Sequence, residues 1–242
     1  MDTSVQLKTA ETEKKAHLDF FNIAISVDCV IFGYQEKKLK VLLIKSDLKE
    51  FESLWSLLGD LVKPSEDLKD APYRVLQDRA GLKNVFLEQV YTFGSVNRHP
   101  SGRVITTAYY SLVDINNYNL HLAEHELHWQ ATTSVGKMAF DHKSILNTCI
   151  KRLRAQVMEQ PIVFNLLPEK FSLRELQDLY KAILGVELDR RNFRKRIMLK
   201  DWLHDLNEME EDVPHRPGKL YKFKTQQKQL NPMQGKEKKI VL

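Results

Sequence analysis

Five cations crowd the stretch that follows Asp189: Arg190, Arg191, Arg194, Lys195 and Arg196, with that aspartate as the only local acid. A solvated helix face ordinarily mixes signs, whereas a face of one sign attracts phosphate. Arginine and asparagine can also read a base edge through paired hydrogen bonds, and lysine supplies charge. Arg191, Asn192, Arg194 and Lys195 are therefore candidates for groove and phosphate contacts. Arg98 and Arg103 flank a proline and a glycine in Ser95–Arg103, where a guanidinium could bind polar oxygen groups. His121, Glu124, His125 and His128 lie close together, but only one residue separates Glu126 from His128, so H-E-x-x-H is not formed. A surface cluster is expected there and no metal site. No G-x-x-x-x-G-K phosphate loop, G-x-S-x-G nucleophile or paired-carboxylate glycosidase pattern occurs.

The elements that must position the basic stretch are legible around it. Ser172 and Glu175 spell a capping box, in which the serine side chain and the glutamate satisfy each other's backbone N–H groups. Leu173, Leu176, Tyr180 and Ile183 then mark one apolar face, and Gly185 ends the helix. Asp189 can cap a second helix that Phe193 and Ile197 turn inward, which leaves Arg191 and Lys195 outward. Trp202–Leu206 and Lys219–Phe223 can pair around a Pro214–Gly218 loop. Two helices and a hairpin in this order predict a winged helix-turn-helix. Its wing would bring Lys219, Tyr221 and Lys222 to a DNA backbone.

Upstream, Ile23–Gly33 and Leu39–Lys45 read as strands joined by a Gly33–Lys38 turn, and Asp67–Ala80 as a helix stopped by Gly81. Val85–Phe93, Val104–Val113 and His128–Thr133 read as strands, and His142–Met158 as a helix with an apolar stripe. Pro161 breaks that helix, and Phe164–Pro168 reads as a short extended piece. Four segments are expected: a loosely ordered 1–20, a sensing domain over 21–158, a DNA-binding domain over 159–224 and a basic flexible tail over 225–242.

The 242 residues, 43% hydrophobic and 29% charged with a net charge of +5, suit a soluble globular protein that contacts phosphate. The first twenty residues carry no apolar signal core, and no apolar run is long enough to span a bilayer. Cys29 and Cys149 are expected as reduced thiols in a cytoplasmic chain.

The segment Trp55–Glu66 followed by Arg74-Val-Leu-Gln-Asp-Arg-Ala-Gly-Leu82 resembles a Nudix box, G-x5-E-x7-R-E-U-x-E-E-x-G-U. Glu66, Arg74, Leu76, Gly81 and Leu82 match, and Asp60 stands for the first glycine, where it could still take a left-handed turn. The resemblance implies Mg²⁺ bound by carboxylates on one helix face, at positions 75, 78 and 79. Here these are Val75, Asp78 and Arg79: one apolar residue, one shortened acid and one cation. The box thus implies a Nudix-like α/β/α sandwich without catalysis, cofactor or metal.

Read with the C-terminal helices, nearly the whole chain resembles the Nudix-related transcriptional regulators of bacteria. That resemblance implies an α+β protein, a homodimer on double-stranded operator DNA and a small-molecule effector in the degenerate domain. Phe164–Pro168 and Tyr109-Tyr110 are similar to the sugar-responsive, arabinose-type branch rather than to the ADP-ribose-sensing repressors of NAD metabolism. The expected effector contacts are Lys45, Trp55, Arg98, Arg103 and Tyr109. A rival reading is an active hydrolase of ADP-ribose or a nucleotide sugar; the carboxylates missing between Arg74 and Arg79 speak against it. Another is a protein-binding adaptor, against which the basic helix speaks.

Overall fold

The computed structural model describes residues 22–117, 126–214 and 216–224. The expected N-terminal segment 1–20, the tail 225–242 and, of the histidine cluster, His121, Glu124 and His125 lie outside them, whereas His128 lies against Trp55.

The fold is organised by β1 (Ala24–Gln35), which is buried over most of its length. A strand covered on both faces must be apolar on both, and Val27-Asp-Cys-Val-Ile-Phe32 is nearly so. Beside it run β2 (Lys38–Lys45), β3 (Trp55–Ser56), β4 (Leu58–Leu61), β5 (Glu88–Phe93), β6 (Val104–Leu112) and β7 (Leu127–Ala131), forming one mixed sheet. β1 pairs parallel with β6, Ala24 opposite Val104 and Phe32 opposite Leu112, and antiparallel with β2 and β4.

Helix α1 (Ala71–Ala80) covers one face with Ala71, Val75 and Leu76, against Val27, Cys29 and Ile31. Helix α2 (His142–Val157) covers the other with Ile145, Leu146, Cys149 and Leu153, against Val30 and Phe32. The cysteines therefore belong to the cores on opposite faces, both buried and both free thiols.

The second unit begins with β8 (Phe171–Ser172) and α3 (Leu173–Leu184), followed by α4 (Arg190–Leu199), β9 (Leu203–Met209) and β10 (Lys219–Phe223). β10 pairs antiparallel with both β8 and β9, so the expected hairpin becomes a three-stranded sheet. The capping box is formed: the Ser172 hydroxyl accepts from the Glu175 N–H at 3.4 Å, and the Glu175 carboxylate accepts from the Ser172 N–H at 2.8 Å. Gly185 ends α3 at φ 72°, and the Asp189 carboxylate accepts from the Asn192 N–H at 2.8 Å. Tyr180 meets Phe193 edge-on at 5.2 Å and so packs α4 on α3.

Several boundaries depart from expectation. α1 starts at Ala71 rather than Asp67, with Pro72 in its first turn, where a missing N–H costs no helix bond. Phe164–Pro168 is not extended: Ile162–Leu166 forms a 3-10 helix whose Val163 and Leu166 are buried in the core. The turn between β1 and β2 is Glu36-Lys37, both at positive φ, and Gly33 stays within β1. A Cβ at Gly33 would lie 2.4 Å from Ile115, so that glycine serves packing. Asp60 takes no left-handed turn, because it pairs with Val27 inside β4. Among the described residues no helix is long and apolar enough to cross a membrane.

Ser172→Ala removes the side-chain half of the box from a buried helix start. It should lower unfolding stability by about 1 kcal/mol, read by urea titration, while Arg174→Ala, two residues on and exposed, should have a far smaller effect.

Candidate functional site: an effector cleft and a nucleic-acid interface

A cleft of about 510 Å³ opens where β1 begins and β2 ends, closed by β4, the 98–104 loop and the start of α2. Its floor is a buried polar network. Asp28 is the one acid in an apolar strand, and its carboxylate accepts from the Thr106 hydroxyl at 2.7 Å and lies 3.3 Å from His142 Nε2 and 3.6 Å from Arg98. The Leu57 N–H donates to His142 Nδ1 at 3.0 Å, so Nε2 carries the proton and donates toward Asp28. Arg98 makes two parallel bonds to Asp141 at 3.0 and 2.7 Å. Burial alone would push the Asp28 carboxyl up; His142, Thr106 and Arg98 more than offset it and hold it below its ordinary range. Gly59 makes room for this acid, since a Cβ there would lie 2.3 Å from Asp28 Oδ1.

Above the floor stands an aromatic ledge. His99 stacks on Phe140 with ring centres 4.9 Å apart, and Phe51 tilts against the same ring at 4.6 Å. Phe140 sits at φ 51°, an unusual conformation for a bulky side chain. Burial, and next the Arg98 charge, push the His99 imidazole down, favouring the neutral ring. Lys45, Arg79 and Arg103 line the same cleft. Arg79 is paired with Asp47, and Arg103 donates to the Gly94 carbonyl at 2.6 Å.

Of the expected effector contacts, Lys45, Arg98 and Arg103 line the cleft, although Arg98 is buried and spends its donors on acids of the floor. Trp55 and Tyr109 do not line it. The Trp55 indole lies under the Lys45 ammonium at 4.9 Å and packs against the α2-side core. Tyr109 alternates to the other face of β6, where it is buried beneath α1. Asp28, His99, Phe140, Asp141 and His142 were not anticipated. The solitary acid within an apolar strand was the available signal for Asp28; the others come together only through the fold.

The box residues build a joint. Arg74 forks onto Glu66 at 2.8 and 2.6 Å, donates to the Leu61 carbonyl at 2.9 Å and reaches Asp60 at 3.4 Å. Val75 is fully buried, and Asp78 is exposed with Arg74 at 3.8 Å. With a buried valine and a paired arginine at two of its three positions, this donor set does not fit the hard, oxygen-seeking Mg²⁺.

The second surface belongs to the winged unit. Phe193 and Ile197 bury the inner face of α4, and Arg190, Arg191, Asn192, Arg194, Lys195 and Arg196 are exposed. None of these cations is paired with an acid among the described residues. In the wing, Lys219 is exposed 2.9 Å from Asp205, and Lys222 is half-buried. Tyr221 is largely buried in the core, with an edge lining a hollow beside Arg190, Arg194 and Lys219.

Residues 163–223 match the family model described as the NrtR DNA-binding winged helix domain. The chain is 30% identical over 219 residues to the ADPR responsive transcriptional repressor NtrR of Acinetobacter baylyi, covering 88% of this chain and 87% of that protein. It superposes on the crystal structure of Shewanella oneidensis NrtR complexed with a 27mer DNA with a TM-score of 0.72 at 28% identity, over 83% of this chain and 93% of that one. It is 26% identical over 135 residues to the ADP-ribose pyrophosphatase of Methanocaldococcus jannaschii, covering 55% of this chain and 79% of that enzyme. The architecture is accordingly a Nudix-like α/β domain followed by a winged helix.

Hydrogen bonds from Arg74, then from the Lys63 N–H, lower the Glu66 carboxyl from 4.5 to about 2. A depressed folded-state value stabilises the protein above the unfolded-state pKa, and that contribution disappears as pH falls toward the folded one. Glu66→Gln should therefore flatten the loss of stability between about pH 4.5 and 2, measured by urea titration at stepped pH. An unchanged acid limb counts against the joint.

Proposed function

The chain belongs to the NrtR family of DNA-binding regulators with a Nudix-like effector domain, and from that membership we propose an ADP-ribose-responsive regulator that does not hydrolyse its effector. The observation that carries the reading is the composition of one cleft: an aromatic ledge at Phe140 and His99 beside the cations Lys45, Arg79 and Arg103. A flat purine suits the ledge, and a pyrophosphate suits ammonium and guanidinium groups. The name of the A. baylyi relative supports the same ligand. The absence of hydrolysis is inferred from Val75 and Arg79, which stand where a working box needs acids.

The expected sugar-responsive branch is set aside. Phe164 belongs to the 3-10 helix packed in the core, and Tyr109 and Tyr110 are buried in β6, so neither segment reaches the cleft. No relative described above points to a sugar.

In this reading the sensing domain ends near Glu159 and the winged helix begins beyond it. Two copies read a palindromic operator, as the symmetry of paired recognition helices requires. Arg191 and Lys195 enter the groove, and the effector acts by binding one arrangement of the readers better than the other.

Two measurements test it. Thermal-shift titration should show a concentration-dependent rise in Tm with ADP-ribose and none with free pentoses, because a ligand of the folded state stabilises by mass action. With Mg²⁺ present the ADP-ribose should remain intact; turnover abolished by Asp78→Ala would establish the hydrolase instead. On DNA, Arg191→Ala should cost about 1–3 kcal/mol at the operator and flatten its preference over random sequence. Lys222→Ala should weaken both alike and keep the ratio. Wild-type selectivity in both Arg191→Ala and Arg194→Ala would remove α4 as the reader.

A further inference from the structure

The tip of the β1–β2 hairpin is strained and charged. Glu36 and Lys37 occupy the two central positions of a two-residue turn at φ 53° and 57°. Asn-Gly or Gly-Gly would take that turn with little strain, so two long charged side chains there call for a functional reason. The tip is exposed but not without a partner. Lys37 reaches across to the winged unit and lies 2.8 Å from Asp178 on α3. Tyr34, just before it, packs against the core shared with α3, and burial beside Asp178 and Glu175 pushes its hydroxyl up to about 12.

Where Lys37 arrives there is a second cavity, about 860 Å³, bounded by α3, the start of α4 and the wing. Arg174, Arg190, Arg194, Arg216 and Lys219 line it together with Lys37, against the acids Asp178 and Glu210. A recognition helix in the major groove and a wing beside it straddle the sugar-phosphate strand between two grooves. The strand must then pass over the hollow that separates α4 from the wing. A hollow rich in guanidinium and ammonium groups at that place suits consecutive phosphates.

We propose that the Nudix-like unit itself contacts DNA: Lys37, at the tip of the β1–β2 hairpin, holds a backbone phosphate in the basic hollow between the recognition helix and the wing. This rests on the DNA-binding reading and extends it, because Lys37 lies outside the winged helix. Asp178 holds the ammonium in place when DNA is absent and competes with phosphate for it.

The test uses the full chain, a mixed-sequence duplex and salt-titrated binding, since a phosphate contact acts on every sequence. Lys37→Gly deletes the ammonium while glycine suits the φ of 57°, so Tm should hold or rise. Binding should weaken, and the slope of log affinity against log salt should shrink by about 0.9 per protomer. Asp178→Asn breaks the same ion pair but removes a negative charge from the path, so affinity should rise or hold. If Lys37→Gly binds with wild-type affinity and slope, the proposal is wrong. It is equally wrong if both variants weaken binding alike, because the pair would then be only a joint between the units. A wild-type chain without salt-dependent duplex binding would instead overturn the DNA-binding reading, and this proposal with it.

Discussion

The packing of α2 against both the sheet and α3 ties the two units together. Its apolar stripe completes one face of the sheet, and its far end docks on the winged unit. There the Tyr180 hydroxyl donates to the Val157 carbonyl at 3.0 Å, and Arg154 donates to the Ile183 carbonyl at 2.8 Å. Buried polar groups are costly to leave unpaired, so these bonds hold α3 against the end of α2. One hydrophobic core runs without interruption from Val30 and Phe32 to Phe193 and Phe223. Two units sharing a core resist independent motion more than two joined by a linker.

The same helix begins at the cleft. Asp141 and His142, at its N-terminal end, meet Arg98 and Asp28, while Arg154 and Val157 meet α3 at the other end. Sixteen residues make a rod about 24 Å long. Its first turn is held by a buried network in which each acid faces a cation or a donor. Such networks have few alternative arrangements, because every rearrangement leaves a group unpaired in a medium of low polarity. Lys37 adds a second connection from the sheet to α3.

The framework of the box is in place although Val75 and Arg79 stand at two of its acid positions. Arg74 and Glu66 still lock the 61–66 loop to α1, and Gly81 still ends that helix at φ 63°. Val75 packs against the sheet, where an acid would have to be solvated or metal-bound. Arg79 faces the cleft as a cation paired with Asp47.

Whatever is local could be read from the residues alone. The capping box, the glycine stops, the period of α3 and the inward Phe193 and Ile197 follow from neighbours within one or two turns, and each formed as read. The degenerate box was legible too, because its residues occupy one loop and one helix. Which side chains share the cleft depends on how distant segments pack. Asp28, Phe140 and His142 come from β1 and from the start of α2, more than a hundred residues apart in the chain. Tyr109 left the expected cleft because strand alternation sends it beneath α1. Alternation fixes which residues face together but not which face the ligand will see; that depends on which helix covers it.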